Sequence, residues 1–306
     1  MTSFKVLITT SGLGERLGTF TEYTNKSLLP VGDKPALARI IDSYPPFTPF
    51  VITLGYKGDL VRQFVEIAYP DLIVDFVEVS NYAGKGSSLG RSIFEARHKL
   101  QAPFVFHAGD TIVGSEDLVG PDHDWLCGAQ GRDSSLYASL NISGSYVTSV
   151  NGKRAQDFDL LYPGIAGISS YRSFWGAMER ALKNESAEST IDFAAIKIMM
   201  AEDGVRFRVK EVNSWIDIGS ISGFKASQKI FSNKVPTLPK VDESIFVVND
   251  KILKFFSDEK VCSQRVARAS LLEGFVPSLV AKSANWYSYP FIEGDVASEQ
   301  LKPGNL

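Results

Sequence analysis

A glycine-rich loop with one cation follows the first apolar run of the chain. Residues 10–18 read Thr-Ser-Gly-Leu-Gly-Glu-Arg-Leu-Gly and begin at the last residue of the apolar run 6–10. Small residues at such a position let backbone N–H groups approach a phosphate, and Arg16 adds a positive charge. A dinucleotide-binding loop would need a third glycine where Leu17 stands, and the Gly-Lys-Ser/Thr end of a P-loop is absent. The loop therefore predicts a phosphate site of another kind or a structural turn.

Two aspartates stand in short segments that contain glycine. Asp110 belongs to His-Ala-Gly-Asp-Thr at 107–111, and Asp217 belongs to Trp-Ile-Asp-Ile-Gly at 215–219. A carboxylate just past the carboxyl end of a strand can hold a magnesium ion that bridges nucleotide phosphates. An aspartate there can also cap a turn by accepting local N–H bonds. Taken alone, the pattern at Asp110 favours the cap.

The glycine loop and the segment 25–35 together resemble the signature of the sugar-1-phosphate nucleotidyltransferases. Residues 25–35 read Asn-Lys-Ser-Leu-Leu-Pro-Val-Gly-Asp-Lys-Pro. The family signature runs G-G-x-G-x-R-L, then P-L-T, then P-K-P-L-[LMV]-P-[VI], and the sequence matches it at Gly12, Gly14, Arg16, Leu17, Thr21, Lys26, Leu28, Leu29 and Pro30. It departs at Ser11, where the family usually has glycine, and at Asn25 and Ser27, where the family usually has proline. Both cations of the signature are kept.

This resemblance implies roles for the charged residues. Arg16 and Lys26 would be the catalytic cations, and Asp110 and Asp217 would jointly hold Mg²⁺, the implied cofactor. Two carboxylates and two cations would then share the charge of a nucleoside triphosphate. The implied nucleotide-binding residues around the phosphates are Ser11, Gly12, Leu13, Gly14 and Asp110.

The resemblance also implies contacts to the base. Residues 82–88, Tyr-Ala-Gly-Lys-Gly-Ser-Ser, stand where relatives place a base-contacting loop. Gly86 and Ser87 are the expected backbone contacts, and Asn81 is a further expected contact. Asn81 or Tyr82 replaces a glutamine that many relatives have, so the preferred base stays open.

Three residues are candidates for the acceptor side. Residues 162–167, Tyr-Pro-Gly-Ile-Ala-Gly, resemble the acceptor-side strand and turn of the family, which would place Gly167 near the acceptor phosphate. Glu188 is a candidate to reach an acceptor hydroxyl, although its segment fits a helix start equally well. Lys153 is a candidate for the acceptor phosphate, although a lysine after Asn-Gly in a hairpin is usually solvated.

The elements that must position these residues form an α/β pattern. Short apolar runs at 6–10, 50–55, 72–77 and 104–108 alternate with helix-like stretches at 35–43, 59–68 and 89–100. Such alternation predicts a mostly parallel sheet covered by helices on both faces, with ligands beyond the carboxyl ends of the strands. The resemblance implies the Rossmann-like, mixed, mostly parallel sheet of the nucleotidyltransferases, which is glycosyltransferase-A-like. Residues 133–170 read as short strands around a turn at Asn151-Gly152, followed by helical candidates at 172–183 and 190–201.

Composition limits the partners. The 306 residues carry 32 Lys+Arg against 35 Asp+Glu, a net charge of −3, so no basic surplus indicates a nucleic-acid partner. No apolar run approaches the ~18 residues of a membrane span, and the first residues lack a signal-peptide pattern. Two distant cysteines and three histidines make a disulfide framework or a zinc site an unfavoured prediction. We expect a cytoplasmic protein whose partners are a nucleoside triphosphate and a phosphorylated small molecule, with no membrane or nucleic acid, and with a homo-oligomer left open.

The chain divides into two predicted units. We expect a nucleotidyltransferase domain at 1–232, a proline-containing linker at 233–242, and a small α+β unit at 243–306. The last unit has a hairpin turning at Asn249-Asp250, a helix near 259–272 and two more strands. It resembles part of the N-lobe of choline kinases and aminoglycoside phosphotransferases, with Lys254 at the phosphate-contacting position. No H-G-D-type catalytic loop follows, so we expect no kinase activity and a longer natural chain.

Two functions remain open at this stage. The first is Mg²⁺-dependent nucleotidyl transfer from an NTP to a phosphorylated sugar or small alcohol, with release of pyrophosphate. The second is a noncatalytic regulatory or scaffold protein on the same fold, because fold does not guarantee activity. The presence of Arg16, Lys26, Asp110 and Asp217 favours the first.

Overall fold

The architecture follows from a computed structural model, which describes residues 4–84, 86–183, 191–231 and 240–294. In chain order the strands are β1 (Lys5–Thr9), β2 (Pro30–Val31), β3 (Lys34–Pro35), β4 (Phe50–Leu54), β5 (Val74–Glu78), β6 (Phe104–Ala108), β7 (Thr111–Val113), β8 (Trp125–Gly128), β9 (Ser139–Ser143), β10 (Tyr146–Asn151), β11 (Leu160–Leu161), β12 (Ile165–Ile168), β13 (Arg208–Glu211), β14 (Trp215–Asp217), β15 (Glu243–Val248), β16 (Lys251–Phe256), β17 (Ala281–Lys282) and β18 (Trp286–Pro290). The α-helices are α1 (Ala36–Asp42), α2 (Gly58–Ala68), α3 (Leu89–Glu95), α4 (Tyr171–Lys183), α5 (Ile191–Ala201), α6 (Ile221–Ile230) and α7 (Glu259–Leu271).

A large mixed sheet forms the centre of the molecule. Among the described residues it has ten strands in the order β11-β9-β10-β13-β8-β12-β6-β1-β4-β5. β6, β1, β4 and β5 are parallel neighbours, whereas β12 runs antiparallel to both β6 and β8. The predicted α/β fold with a mixed sheet is confirmed.

Alternating side chains of the strands feed two apolar cores. In β1, Val6 and Ile8 face the core that α1 and α2 cover, while Leu7 faces the core that α3, α4 and α5 cover. This period of two is what a strand buried on both faces requires. Both faces of the sheet are therefore closed, and loops at the ends of its strands remain for chemistry.

The hairpin in the middle of the chain turns earlier than the sequence predicts. β9 and β10 are joined at Gly144, which has a left-handed φ of 58°, and β10 continues to Asn151. The Asn151 side chain donates to Asn141 Oδ1 across the pair at 2.6 Å. The prediction of a turn at Asn151-Gly152 is wrong, because Asn151 serves as a paired strand residue.

The C-terminal unit contains the predicted elements. β15 and β16 form a hairpin that turns at Asn249 and Asp250, both with positive φ, and α7, β17 and β18 follow. The antiparallel sheet has the order β15-β16-β18-β17. Most of the predicted linker, residues 233–239, lies outside the described residues.

This unit shares a core with the rest of the protein. Trp286 is fully buried, and its ring lies 5.4 Å from that of Phe64 in α2. Gln63 Oε1 accepts from the Asn285 N–H at 3.0 Å and from the Ser283 hydroxyl at 2.8 Å. An aromatic and polar seam of this kind holds the C-terminal sheet firmly against α2. Within the described segments, no helix is both long and apolar enough to cross a bilayer.

Candidate active site

A cleft of about 520 Å³ lies beyond the carboxyl ends of β1 and β6. In a sheet of this type, the loops at this edge are the expected ligand site. The lining comes from the glycine loop, Lys26, the segment before α3, and the loops that carry Asp110 and Gly219: Thr9, Ser11, Gly12, Leu13, Gly14, Glu15, Arg16, Lys26, Tyr82, Ser87, Ser88, Leu89, Ser92, Ala108, Asp110 and Gly219.

The glycine loop is shaped by the left-handed conformation of Gly14 and by one buried leucine. Gly14 has φ 71°, and a Cβ there would lie 2.9 Å from Thr21 Cγ2. The Leu17 N–H donates to Gly14 O at 2.8 Å, and the Leu17 side chain is fully buried. Leucine in place of a third glycine therefore anchors the turn in the apolar core, while exposed Arg16 is directed to the cleft.

Asn25 and Ser27, the departures from the family signature, form a hydrogen-bond network. The buried Asn25 amide donates to Thr10 O at 2.8 Å and to Tyr56 O at 2.6 Å. Its Oδ1 accepts from the Ser27 N–H at 2.9 Å and from the Ser27 hydroxyl at 2.8 Å. All the hydrogen-bonding groups of the Asn25 side chain are thus used to fix the backbone on which Lys26 stands.

Lys26 reaches the first carboxylate. Its Nζ lies 2.9 Å from Asp110 Oδ2, and the two side chains are 19% and 17% exposed. Burial acts to raise the pKa of Asp110, but the charges of Lys26 and Arg16 outweigh it and hold that pKa below its ordinary value. Asp110 is therefore an ionised carboxylate at neutral pH.

Gly219 brings the second carboxylate to the same place. A Cβ on Gly219 would lie 2.6 Å from Asp110 Oδ2, 2.9 Å from Asp217 Oδ1 and 3.0 Å from Arg16 Nη2. β14 pairs with β7, and the Ile218 N–H donates to Asp110 O at 2.9 Å, so the two aspartate segments are bonded to each other. Glycine at 219 keeps open the space between both carboxylates and the guanidinium.

Within the part of the chain that the structure describes, no cation pairs directly with Asp217, and neutral donors hold it. Its Oδ1 accepts from the Gly219 N–H at 2.8 Å, and its Oδ2 accepts from the Tyr137 hydroxyl at 2.8 Å. Burial, followed by the charge of Asp110, raises the pKa of Asp217 above its ordinary value. Two negative groups that face one space in this way favour a cation between them.

The oxygen ligands at this site are suited to a magnesium ion that binds together with a triphosphate. No group of three or more His, Cys, Asp or Glu side chains suited to a metal occurs in the described part of the chain. Mg²⁺ is commonly held by one or two carboxylates, with substrate phosphates and water completing its octahedron. Asp110 and Asp217 supply this minimal oxygen set, so the residues fit a metal that arrives with a triphosphate.

A buried histidine supports the Asp110 turn. His107 Nε2 contacts Thr111 O at 2.9 Å, and the Tyr44 hydroxyl lies 2.8 Å from Nδ1. Since a carbonyl can only accept, Nε2 carries the proton and Nδ1 accepts from Tyr44. Burial lowers the pKa of His107 to about 4, so the ring is neutral and joins the Thr111 carbonyl to the Tyr44 hydroxyl.

The structure brings together most, but not all, of the predicted site residues. Ser11, Gly12, Leu13, Gly14, Arg16, Lys26, Ser87 and Asp110 line the cleft, and Asp217 borders it through Gly219. Asn81 and Gly86 are neighbours, since a Cβ on Gly86 would lie 3.4 Å from Asn81 Nδ2. Neither residue belongs to the cleft lining. Glu188 falls outside the described residues.

Two acceptor-side predictions receive another explanation. A Cβ on Gly167 would lie 2.1 Å from Trp125 Nε1, so the missing side chain accommodates a buried indole and Gly167 does not line the cleft. The acceptor contact at Gly167 stays a prediction, and packing against Trp125 accounts for this glycine without it. Lys153 is exposed in the loop after β10 and also lies outside the cleft lining.

Sequence reasoning missed Tyr137 and Ser92, a polar residue of the cleft lining that contacts Ser11. Tyr137 stands in no motif, so no local signal identifies it. The Ser11 hydroxyl donates to Ser92 Oγ at 2.8 Å, and a Cβ on Gly55 would lie 2.6 Å from Ser11 O and 2.8 Å from Tyr82 Cβ. These contacts depend on α3 and the β4 end meeting the glycine loop, which is a property of the sheet order.

The comparisons with known proteins agree with this geometry at the level of the fold. No family model matches the chain, and no curated protein matches it. Among solved structures, a CTP:phosphocholine cytidylyltransferase from Streptococcus pneumoniae is similar at 18% identity and a TM-score of 0.60, covering 74% of this chain and 98% of its own. A UDP-glucose pyrophosphorylase from Acinetobacter baumannii is similar at 14% identity and a TM-score of 0.58, covering 74% of this chain and 92% of its own. An inositol-1-phosphate CTP transferase from T. maritima is similar at 13% identity and a TM-score of 0.57, covering 78% of this chain and 100% of its own.

These likenesses show that the chain has the nucleotidyltransferase fold. Each of the three proteins is matched over nearly its whole length, whereas part of this chain lies outside each match. None of the three is a kinase, so the comparisons give no support to the expected kinase-like character of residues 243–306.

Proposed function

We propose that this chain is a nucleotidyltransferase that joins a nucleoside triphosphate to a phosphorylated sugar or small alcohol and releases pyrophosphate. One observation carries the proposal: Asp110, Asp217 and Arg16 each have a polar atom within 3.0 Å of one point above Gly219, and Lys26 is bonded to Asp110. Two carboxylates and two cations at the carboxyl edge of the sheet suit a bound triphosphate better than any neutral ligand.

The chemistry needs positioning and charge rather than a covalent nucleophile. An oxygen of the acceptor phosphate attacks the α-phosphorus in line, the bond from that phosphorus to the β-bridging oxygen breaks, and pyrophosphate leaves with the electron pair. Arg16, on the exposed glycine loop, acts on the leaving phosphates. Lys26, fixed by the Asn25 network, acts on the α-phosphate or the acceptor phosphate, where charge develops.

Asp110 and Asp217 would hold Mg²⁺ in this proposal. Bound with the triphosphate, the ion would supply neutralisation of the phosphate charge. The protein's share is to aim both carboxylates at one space, which the Gly219 turn and the β7–β14 pair accomplish.

The test is a pyrophosphate-release screen of the full chain. CTP, UTP, dTTP and GTP are each incubated with Mg²⁺ and with phosphocholine, glucose 1-phosphate or inositol 1-phosphate, the last three taken from the chemistry named for the similar structures. We expect pyrophosphate with at least one pair, and none in excess chelator. Triphosphate binding by calorimetry without turnover on a widened acceptor panel would instead favour the noncatalytic scaffold.

A further inference from the structure

Tyr137 contacts two residues of the Asp217 segment with one side chain. It lies between β8 and β9, and its hydroxyl donates to Asp217 Oδ2 at 2.8 Å. Its ring meets that of Trp215 edge to face, with 4.6 Å between centroids and 72° between planes. The same residue therefore bonds the carboxylate and packs on the indole two positions before it.

The backbone of Tyr137 is itself fixed. Its N–H donates to Ser134 O at 3.2 Å, and Ser134 O also accepts from the Arg154 N–H at 2.8 Å. The Ser134 hydroxyl donates to Ala155 O at 2.7 Å. Hydrogen bonds thus join the turn that carries Tyr137 to the segment after β10. They fix the backbone position from which the Tyr137 hydroxyl reaches Asp217.

The two hydrogen bonds of Asp217 set the orientation of its carboxylate. Oδ1 accepts from the Gly219 N–H and Oδ2 from Tyr137, so donors from different elements fix the plane of the group. Each carboxylate oxygen keeps a further lone pair for a cation. Over the described residues, Tyr137 supplies the only side-chain hydrogen bond to Asp217. Partners of this kind strongly influence metal affinity, because they orient the ligand oxygen.

We infer that Tyr137 is a positioning residue that aims Asp217 at the metal. The inference rests on the proposed function for the metal itself. The assignment is separate from nucleotide binding, because Tyr137 does not line the cleft where the glycine loop and Ser87 lie. Loss of its hydroxyl should therefore weaken metal binding and leave the affinity for the free nucleotide unchanged.

The test compares Tyr137→Phe with Tyr69→Phe in the full chain. Tyr69 donates to Asp42 Oδ1 at the same 2.8 Å, away from the cleft, and so matches the hydrogen bond that is removed. Mn²⁺ binding is followed by electron paramagnetic resonance in the presence of the α,β-methylene analogue of whichever of CTP, UTP, dTTP and GTP binds most tightly by calorimetry. We expect Tyr137→Phe to weaken Mn²⁺ binding about 10-fold, at the lower end for such partners, and Tyr69→Phe to change it less than about 2-fold.

A double-mutant cycle separates positioning from a general structural effect. If the hydroxyl acts through Asp217, then adding Tyr137→Phe to Asp217→Asn should weaken Mn²⁺ binding little further. Unchanged Mn²⁺ affinity in Tyr137→Phe, or the same 10-fold loss in both backgrounds, would overturn the inference. A wild type that shows Tyr137-dependent Mn²⁺ binding but no pyrophosphate release would reject the proposed activity and keep the assignment of Tyr137.

Discussion

Asp110 and Asp217 face one space, but the groups that hold them differ in charge. Lys26 forms an ion pair with Asp110, and the two cations lower its pKa, whereas neutral donors hold Asp217 and its pKa is raised. The glycine-loop side is therefore charge-compensated in the protein alone, and the Tyr137 side is not. This difference indicates that Asp217 depends on an incoming cation more than Asp110 does.

Removing the negative charge of either site carboxylate should have the largest effect on turnover. Asp110→Asn and Asp217→Asn should each lower turnover by about 10² or more, because stabilisation of developing charge is lost. Asp110→Asn should be the worse of the two, because it also removes the ion partner of Lys26. Initial rates of pyrophosphate release at saturating substrates measure this.

Asp75→Asn is the matched control for the carboxylates, since Asp75 pairs with Lys5 and Lys99 on the outer strand β5. Its turnover should stay near wild type. Full activity in either site variant would remove the two-carboxylate site from the proposal.

The cations come next in size. Arg16→Ala and Lys26→Ala should each lower kcat by about 10² while changing nucleotide affinity less, because both act where charge develops. Lys34→Ala, which breaks a surface pair with Asp42, serves as the control. If both site variants kept kcat and only raised KM, they would be binding groups and their assigned roles would be wrong.

The ease of prediction differs between the two sides of the cleft for a physical reason. Arg16 and Asp110 follow strands and glycines, and Lys26 stands in the second part of the family signature, so these three residues could be selected from the sequence alone. Tyr137 reaches Asp217 across 80 positions of the chain, through a contact that only the order β13-β8-β12-β6 creates. Gly167 shows why the acceptor side is harder to predict, since a glycine that admits substrate and a glycine that admits Trp125 have the same sequence pattern.

The ring of His107 hydrogen-bonds across the turn that carries Asp110. The pH dependence of the free energy of unfolding therefore tests how that turn is held. Its pKa is about 4 in the folded protein, against about 6.5 in an unfolded chain. The contribution of the neutral His107 ring to the free energy of unfolding is fully present above pH 6.5. It is lost as the pH falls towards 4, because the unfolded chain takes up a proton that the folded ring cannot. The full loss would be about 3 kcal/mol.

Urea unfolding at pH 7.5 and pH 5 should show this dependence in wild type and less of it in His107→Gln. By pH 5 the difference between the two proteins should narrow by about 2 kcal/mol. Exposed His98→Gln is the control and should follow wild type. Parallel curves for wild type and His107→Gln would show that His107 titrates normally in the folded protein.

The smallest effects on activity are expected at the two acceptor-side candidates that lie outside the cleft lining. Gly167→Ala forces a Cβ against Trp125, so it should destabilise the protein by about 1–3 kcal/mol through overpacking. Its KM for the acceptor should stay within about 2-fold at a temperature where the variant is folded.

Lys153→Ala should change the free energy of unfolding by no more than about 0.5 kcal/mol, the norm for a surface substitution, and should leave the KM for the acceptor within about 2-fold. Acceptor titrations of both variants, with thermal unfolding measured alongside, separate packing from binding. A KM raised 10-fold or more by Lys153→Ala would place that lysine on the acceptor phosphate after all, and would show that the loop after β10 moves to the cleft when the acceptor binds.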